Sequence, residues 1–233
     1  DEADVTDLEA FRRACKPQAA ERDVKLSPLH FVLKAVVRVL AEFPDFRSSL
    51  APDGRALIVK EYFHLGVAVD TENGLVVPVI RDVDQKGIFE LARELAALAE
   101  KARARRLAPG DMEGACFTLS SLGGIGGTSF TPIVNVPEVA ILGLSKLSIQ
   151  PRWSGGSDPQ AQGEFQGRTM LPLSLSYDHR VIDGAAAARF TPRLAPVLSR
   201  PAPLLLWRRA RCRCGPCPGG VLGVGKGRGA VLP

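Results

Sequence analysis

Between His64 and Val83 the sequence HLGVAVDTENGLVVPVIRDV places Leu65, Val67 and Val69 at alternate positions, breaks at Glu72-Asn73-Gly74, and resumes with Leu75, Val77 and Val79. Apolar residues at period two mark a strand with one buried face, and a short polar break containing glycine is what a hairpin connection needs. A chain that commits to such a turn here is not all helix, nor the regular strand-helix-strand repeat of a parallel sheet.

Helical and strand patterns alternate irregularly around this hairpin. Thr6 and Glu9 in TDLE have the spacing of a capping box, which predicts a helix from about Asp7 with Leu8, Phe11 and Cys15 on its apolar side. Ser27-Pro28 is a second helix start, and Leu29, Val32, Leu33, Val36, Val37 and Leu40 form a stripe that predicts a half-buried helix ended by Pro44. The alanine-rich run from Gly87 to Arg106 is the clearest helix. ACFTLSS reads as a strand, VAILGLSKLSI as one continuous apolar strand, and TMLPLSLSYDH as a last strand. Asp183 is placed to cap a final helix, GAAAARFTPRL. The expected architecture is therefore α+β: a two-layer sandwich with a mixed β-sheet and helices on one face. RWSGGSDPQAQGEFQG reads as a polar loop between strands, not a domain linker.

The 233 residues, 45% of them hydrophobic, suffice for one packed domain, here assigned to residues 1–200. From 201 to 233 the composition shifts to five prolines and seven glycines in 33 residues without periodicity, so this tail is expected to stay disordered. Six of the 30 basic groups and none of the acids lie in that tail, which leaves 24 basic against 25 acidic residues before it, a net −1. A body with no positive excess has no electrostatic footprint for nucleic acid. Apolar runs are far shorter than the roughly 20 residues that span a bilayer, so no membrane association is expected. The acidic start, DEADVTDLEA, is unlike a secretory signal, and a bacterial cytoplasmic location is the expectation. Cys212, Cys214 and Cys217 crowd the tail, but no histidine joins them and a closed zinc site wants four ligands, so no metal is assigned.

The chain has only three histidines. His30 lies within a helical stripe and His64 beside a strand, and structural roles suffice for both. His179, between Asp178 and Arg180, ends an apolar strand and opens a turn, where an imidazole can face a cleft while rigid structure orients it. Ser120 and Ser121 end another strand and enter the glycine-rich FTLSSLGGIGGTSF; a hydroxyl there can donate to a developing oxyanion, although serine and glycine also simply make turns. The segment fits neither the Gly-x-Ser-x-Gly elbow of hydrolases nor the glycine patterns of nucleotide-binding loops.

Three stretches together, SYDHRVIDGAAAARF, GACFTLSSLGGIGGTSFTPIVNVPEVAILGLSK and VAVDTENGLVVPVIRDVDQKGIFELA, resemble the catalytic domain of the dihydrolipoamide acyltransferases of 2-oxo acid dehydrogenase complexes. The acetyl-transferring branch of bacterial pyruvate dehydrogenase complexes is most similar, and the Asp-His-Arg-x-x-Asp-Gly motif is shared more distantly with chloramphenicol acetyltransferase. The resemblance runs from Asp1 to about Leu194. It implies a chloramphenicol acetyltransferase-like fold and acetyl transfer between dihydrolipoyl-lysine and coenzyme A. It further implies His179 as general base, Ser120 as oxyanion donor, and Asp183 as the residue that holds the loop and caps the helix. Also implied are a homotrimer, possibly within a larger cubic assembly, and a channel at each subunit interface to which His179 and Ser120 come from different chains. The implied partners are a lipoyl domain, carried outside this sequence, and the pyruvate dehydrogenase and dihydrolipoamide dehydrogenase components. Two departures are expected. The sequence begins inside a strand that the family precedes with a further segment, and the tail after about Leu194 reads like a frameshift. The rival readings are a catalytically impaired scaffold core of such a complex and, more remotely, a serine hydrolase using Ser120, His179 and Asp183.

Overall fold

The computed structural model describes residues 1–156 and 162–206. In chain order the elements are β1 (Glu2–Asp4), α1 (Thr6–Ala14), α2 (Lys16–Ala20), α3 (Pro28–Leu40), β2 (Ser48–Leu50), β3 (Leu57–Val59), β4 (Leu65–Val67), β5 (Val69–Thr71), β6 (Gly74–Val76) and β7 (Val79–Ile80). There follow α4 (Ile88–Arg103), β8 (Phe117–Ser121), β9 (Ala140–Leu144), β10 (Ser148–Trp153), β11 (Phe165–Tyr177), α5 (Gly184–Ser199) and α6 (Pro201–Leu206).

The main sheet has the order β1-β11-β9-β8-β4-β7, with β10 also paired to β11. β8 runs parallel to β4 and β9, and the remaining pairs are antiparallel, so the sheet is mixed as expected. The register separates its two faces. Leu119 is level with Leu142 and Leu175, and Leu144 with Leu173; these residues share the helix-packed core with Leu33, Val36 and Leu40 of α3, Leu91 of α4 and Phe190 of α5. The opposite face carries Gly66, Thr118 and Ile141 in one row and Ser120, Gly143 and Ser174 in the next, none of which joins that core. One face is oiled by helices, the other small and hydroxyl-rich.

The hairpin at 64–83 forms but in four pieces: β4 returns as β7, and β5 and β6 close a smaller hairpin between them. The expected continuous strand at 139–149 is broken into β9 and β10, both paired to β11, with the break facing Leu171 and Pro172, whose ring leaves no N–H for a ladder. β11 starts at Phe165, earlier than the alternation suggested, so the polar loop is shorter at both ends.

α3 is not half buried. Ten of its 13 residues are buried, because Phe31, Ala35 and Val39 fill the side opposite the stripe and α1, α4, α5 and α6 surround it. Even Lys34 lies inside, its Nζ donating to the carbonyls of Val83, Asp84 and Lys86 at 3.2, 3.2 and 3.0 Å. The capping box at Thr6 does not form either. Thr6 Oγ1 donates to Asp4 Oδ1 at 2.7 Å and accepts from Thr169 N of β11 at 2.8 Å, while Glu9 pairs with Arg12, so both members of the expected box are taken by other partners.

At the end of the domain α6 continues the fold past residue 200. Pro201 takes the first helical position, which suits its fixed φ, and Leu204 is buried in the core. The rest of the tail, with Cys212, Cys214 and Cys217, lies outside the described residues. No helix among the described residues is long and apolar enough to cross a membrane.

Candidate active site

His179 sits on a turn fixed at both sides. Before it, Asp178 N donates to Val139 O at 2.8 Å, tying the end of β11 to the entry of β9. The Asp178 carboxylate accepts from Arg180 Nε at 3.0 Å, Nη2 at 2.6 Å and the Arg180 backbone N–H at 3.0 Å, and the Arg180 side chain's hydrogen bonds hold that carboxyl below the usual range. The Asp178 carbonyl accepts from Val181 N and Ile182 N, both at 3.0 Å, and Ile182 is buried to 1% exposure as a plug. After it, Asp183 Oδ1 accepts from Ala186 N at 2.6 Å and caps α5, as the sequence predicts. Phe190 then locks α5 into an aromatic cluster, stacked on Phe46 at 4.4 Å and edge-on to Phe43 at 5.6 Å. The imidazole itself is exposed, with the Tyr177 ring 5.7 Å away.

Ser120 is the half-buried fourth residue of β8, on the hydroxyl-rich face of the sheet. Its register partner is Gly143, and a Cβ there would meet Phe130 Cζ at 2.7 Å, so the Phe130 ring lies on the strand next to the serine. Beyond Ser121 the chain enters a turn in which Gly126 and Gly127 have φ of +139° and +87°, conformations that favour glycine.

Two residues before Ser120 on the same face, Thr118 is fully buried and donates a short hydrogen bond to Glu138 Oε2. Asn135 Nδ2 donates to Glu138 Oε1 at 3.1 Å. Burial raises the Glu138 carboxyl above its ordinary range against the pull of Thr118, Asn135 and Lys60. Burial likewise lowers the Lys60 ammonium, which donates to Ala115 O at 2.7 Å. Sequence reasoning missed this network; its one signal was a glutamate set directly before the apolar run of β9.

His179 and Asp183 share the turn between β11 and α5, and the sheet register sets Ser120 away from that end of β11. Ser120 is level with Gly143 and Ser174, whereas Tyr177 is level with Ala140 at the other end of β9. Three residues along the sheet and two strands across put Ser120 about 14 Å from Tyr177, with His179 further on. A serine-histidine hydrogen bond of about 3 Å is out of reach within one chain, so the hydrolase triad does not assemble there. The other histidines keep structural roles: His30 Nδ1 accepts from Ser27 N at the start of α3, and His64 Nδ1 accepts from Asp82 N, both at 3.0 Å. Among the described residues no group of three or more His, Cys, Asp or Glu is arranged to hold a metal ion.

Residues 1–206 match the 2-oxoacid dehydrogenases acyltransferase (catalytic domain) family, so the match extends past Leu194, where divergence was expected, to the end of α6. Over 206 residues the chain is 60% identical to the dihydrolipoyllysine-residue acetyltransferase component of the Pseudomonas aeruginosa pyruvate dehydrogenase complex, covering 88% of this chain and 36% of the relative. It thus spans about a third of the length of that relative. Two solved structures superpose with TM-score 0.83 at 60% identity, each covering 88% of this chain and 82% of the other. One is the Azotobacter vinelandii dihydrolipoamide acetyltransferase, studied for the role of a serine, a histidine and an asparagine in its catalytic mechanism. The other is the cubic core of the pyruvate dehydrogenase multienzyme complex. Chloramphenicol acetyltransferase, with TM-score 0.56 at 20% identity over 85% of this chain and 86% of its own, shares the fold. The chain therefore belongs to the 2-oxoacid dehydrogenase acyltransferase family, of which it carries the catalytic domain.

Proposed function

We propose that this chain transfers an acetyl group between dihydrolipoyl-lysine and coenzyme A as the catalytic core of a pyruvate dehydrogenase complex. The observation that carries the reading is the exposed imidazole of His179 on a turn that Asp178, Ile182 and Asp183 hold rigid, in a chain 60% identical to acetyltransferases of that complex. In the proposed mechanism His179 takes the proton of the coenzyme A thiol. With a reference pKa of about 8.5 that thiol is only a few per cent ionised at neutral pH, so a base within hydrogen-bond reach accelerates attack. The sulfur adds to the thioester carbonyl of acetyl-dihydrolipoyl-lysine, and the Ser120 hydroxyl donates to the resulting oxyanion. Collapse expels the dihydrolipoyl thiolate, which recovers the proton from the imidazolium, and the acetyl group leaves on coenzyme A.

Asp183 serves this scheme by capping α5 rather than by touching the reaction. Its place four residues after His179 equals the spacing of the histidine and asparagine studied in the Azotobacter enzyme. The distance between Ser120 and His179 in one chain supports a site shared between subunits of a homotrimer, and the similarity to a cubic core supports a larger assembly. The lipoyl group would arrive on a separate domain, and the pyruvate dehydrogenase and dihydrolipoamide dehydrogenase components would feed and regenerate it. The test is acetyl transfer from acetyl-coenzyme A to free dihydrolipoamide, wild type beside His179→Ala. Transfer in the wild type and its loss in the variant are expected; equal rates would remove His179 from the mechanism.

A further inference from the structure

On its C-terminal side Ser120 is followed by backbone pairing: the exposed Ser121 is level with Leu144, and Leu122 N donates to Leu144 O at 2.9 Å before the glycine-rich turn. Its placement therefore rests on the ladder to Gly143 and Leu144 and on the side chains that precede it. There the structure supplies a buried clamp. Thr118 projects on the same face of β8, is completely buried, and gives its hydroxyl to Glu138, whose other oxygen is held by Asn135. The Asn135–Glu138 turn is itself closed by Glu138 N donating to Asn135 O at 2.9 Å, and Val139 next to it receives Asp178 N from the His179 turn. Space around Thr118 is tight, since a Cβ on Gly66 of the neighbouring β4 would meet Thr118 Oγ1 at 2.6 Å. A side chain this enclosed, bonded to a buried carboxylate, fixes the backbone two residues from the serine.

We propose that Thr118 and Glu138 are positioning residues for Ser120, fixing the hydroxyl where the oxyanion develops without touching substrate. The inference rests on the acetyltransferase reading above. Displacing an oxyanion donor slightly weakens an interaction made in the transition state, so turnover falls and substrate binding does not.

The test is a double-mutant cycle on acetyl transfer. Thr118→Val, which keeps the shape and removes the hydroxyl, should lower kcat about tenfold with both KM values within about twofold of wild type. Thr118→Ser, which restores the hydroxyl, should recover most of the loss. In a Ser120→Ala background, Thr118→Val should cost less than about twofold, because no donor remains to be positioned. An equal loss in both backgrounds would overturn the proposal in favour of a merely structural Thr118, as would an unchanged kcat in folded Thr118→Val. If circular dichroism shows Thr118→Val unfolded, Glu138→Asp, whose carboxylate is withdrawn by one methylene, enters the same cycle with the same expectations. An inactive wild type would defeat the acetyltransferase reading and this inference together, whereas an active wild type with additive losses would defeat this inference alone.

Discussion

Asp183 stands four residues after an imidazole, close enough to be taken for its charge partner. Its Oδ1 instead accepts the Ala186 N–H at 2.6 Å, so its consequence for His179 runs through the start of α5. Replacing the cap by alanine should cost about 1 kcal/mol of stability and loosen the turn, lowering activity, while Asp183→Asn, an equally good cap, should keep both. A thermal melt and an acetyl-transfer assay on the two variants separate them; equal loss of activity in both would give the charge itself a role. His30 makes a different prediction. Burial pushes its imidazole down to about 4 from 6.5, so as pH falls below 6.5 the unfolded chain takes up the proton first. Stability is therefore full above pH 6.5 and declines toward pH 4, by about 3 kcal/mol. His30→Gln keeps an acceptor for Ser27 N and does not titrate, so its urea midpoint should change less with pH over that range. The turn that carries His179 was legible in the sequence because its residues bond locally: Asp178, Arg180 and Asp183 all bond within three residues. Glu138 was not, because its partner Thr118 is 20 residues away and only the fold makes them meet.

At the scale of elements the same division between local and non-local causes recurs. α4, the start of α5 and the strand character of β8 follow from residue periodicity, whereas α5 runs to Ser199, five residues past the expected GAAAARFTPRL. The breaks were not: β9 and β10 separate opposite Pro172, and the hairpin at 64–83 divides into the β4–β7 pair in the main sheet and a separate β5–β6 pair. The depth of α3 was illegible for a related reason, since a stripe shows which side packs first and not how many neighbours arrive. Gly66 shows how close that packing is. Its missing side chain admits Thr118 Oγ1 and Val77 Cγ1, which a Cβ would meet at 2.6 and 2.8 Å. Gly66→Ala should destabilise by about 1–3 kcal/mol through overpacking, because neither neighbour is the free end of a long chain, and it should turn Thr118 away from Glu138. Urea unfolding measures the first effect; an unchanged midpoint would mean that β4 and β8 can part without cost.

The whole molecule then poses a question that neither residue nor element answers. Strand geometry sets Ser120 about 14 Å from Tyr177, at the end of the strand that leads to His179, so under the proposed mechanism each subunit would hold half of two sites rather than one complete site. A heterologous ring would solve this, since head-to-tail contacts would set the His179 end of one copy against the Ser120 end of the next, and closure would leave no half-site unused. Mixed assembly tests the idea directly. His179→Ala and Ser120→Ala subunits, each impaired alone, should regain activity when unfolded together and refolded as mixed trimers. Wherever the intact histidine of one subunit faces the intact serine of another, a complete site is restored. Random assembly of equal amounts predicts about one interface in four fully intact, hence roughly a quarter of wild-type activity. A mixture no more active than the sum of its parents, with mixed trimers demonstrated by differently tagged subunits, would require both groups to act from one chain. That would demand a rearrangement of β8 or β11 large enough to break the present register.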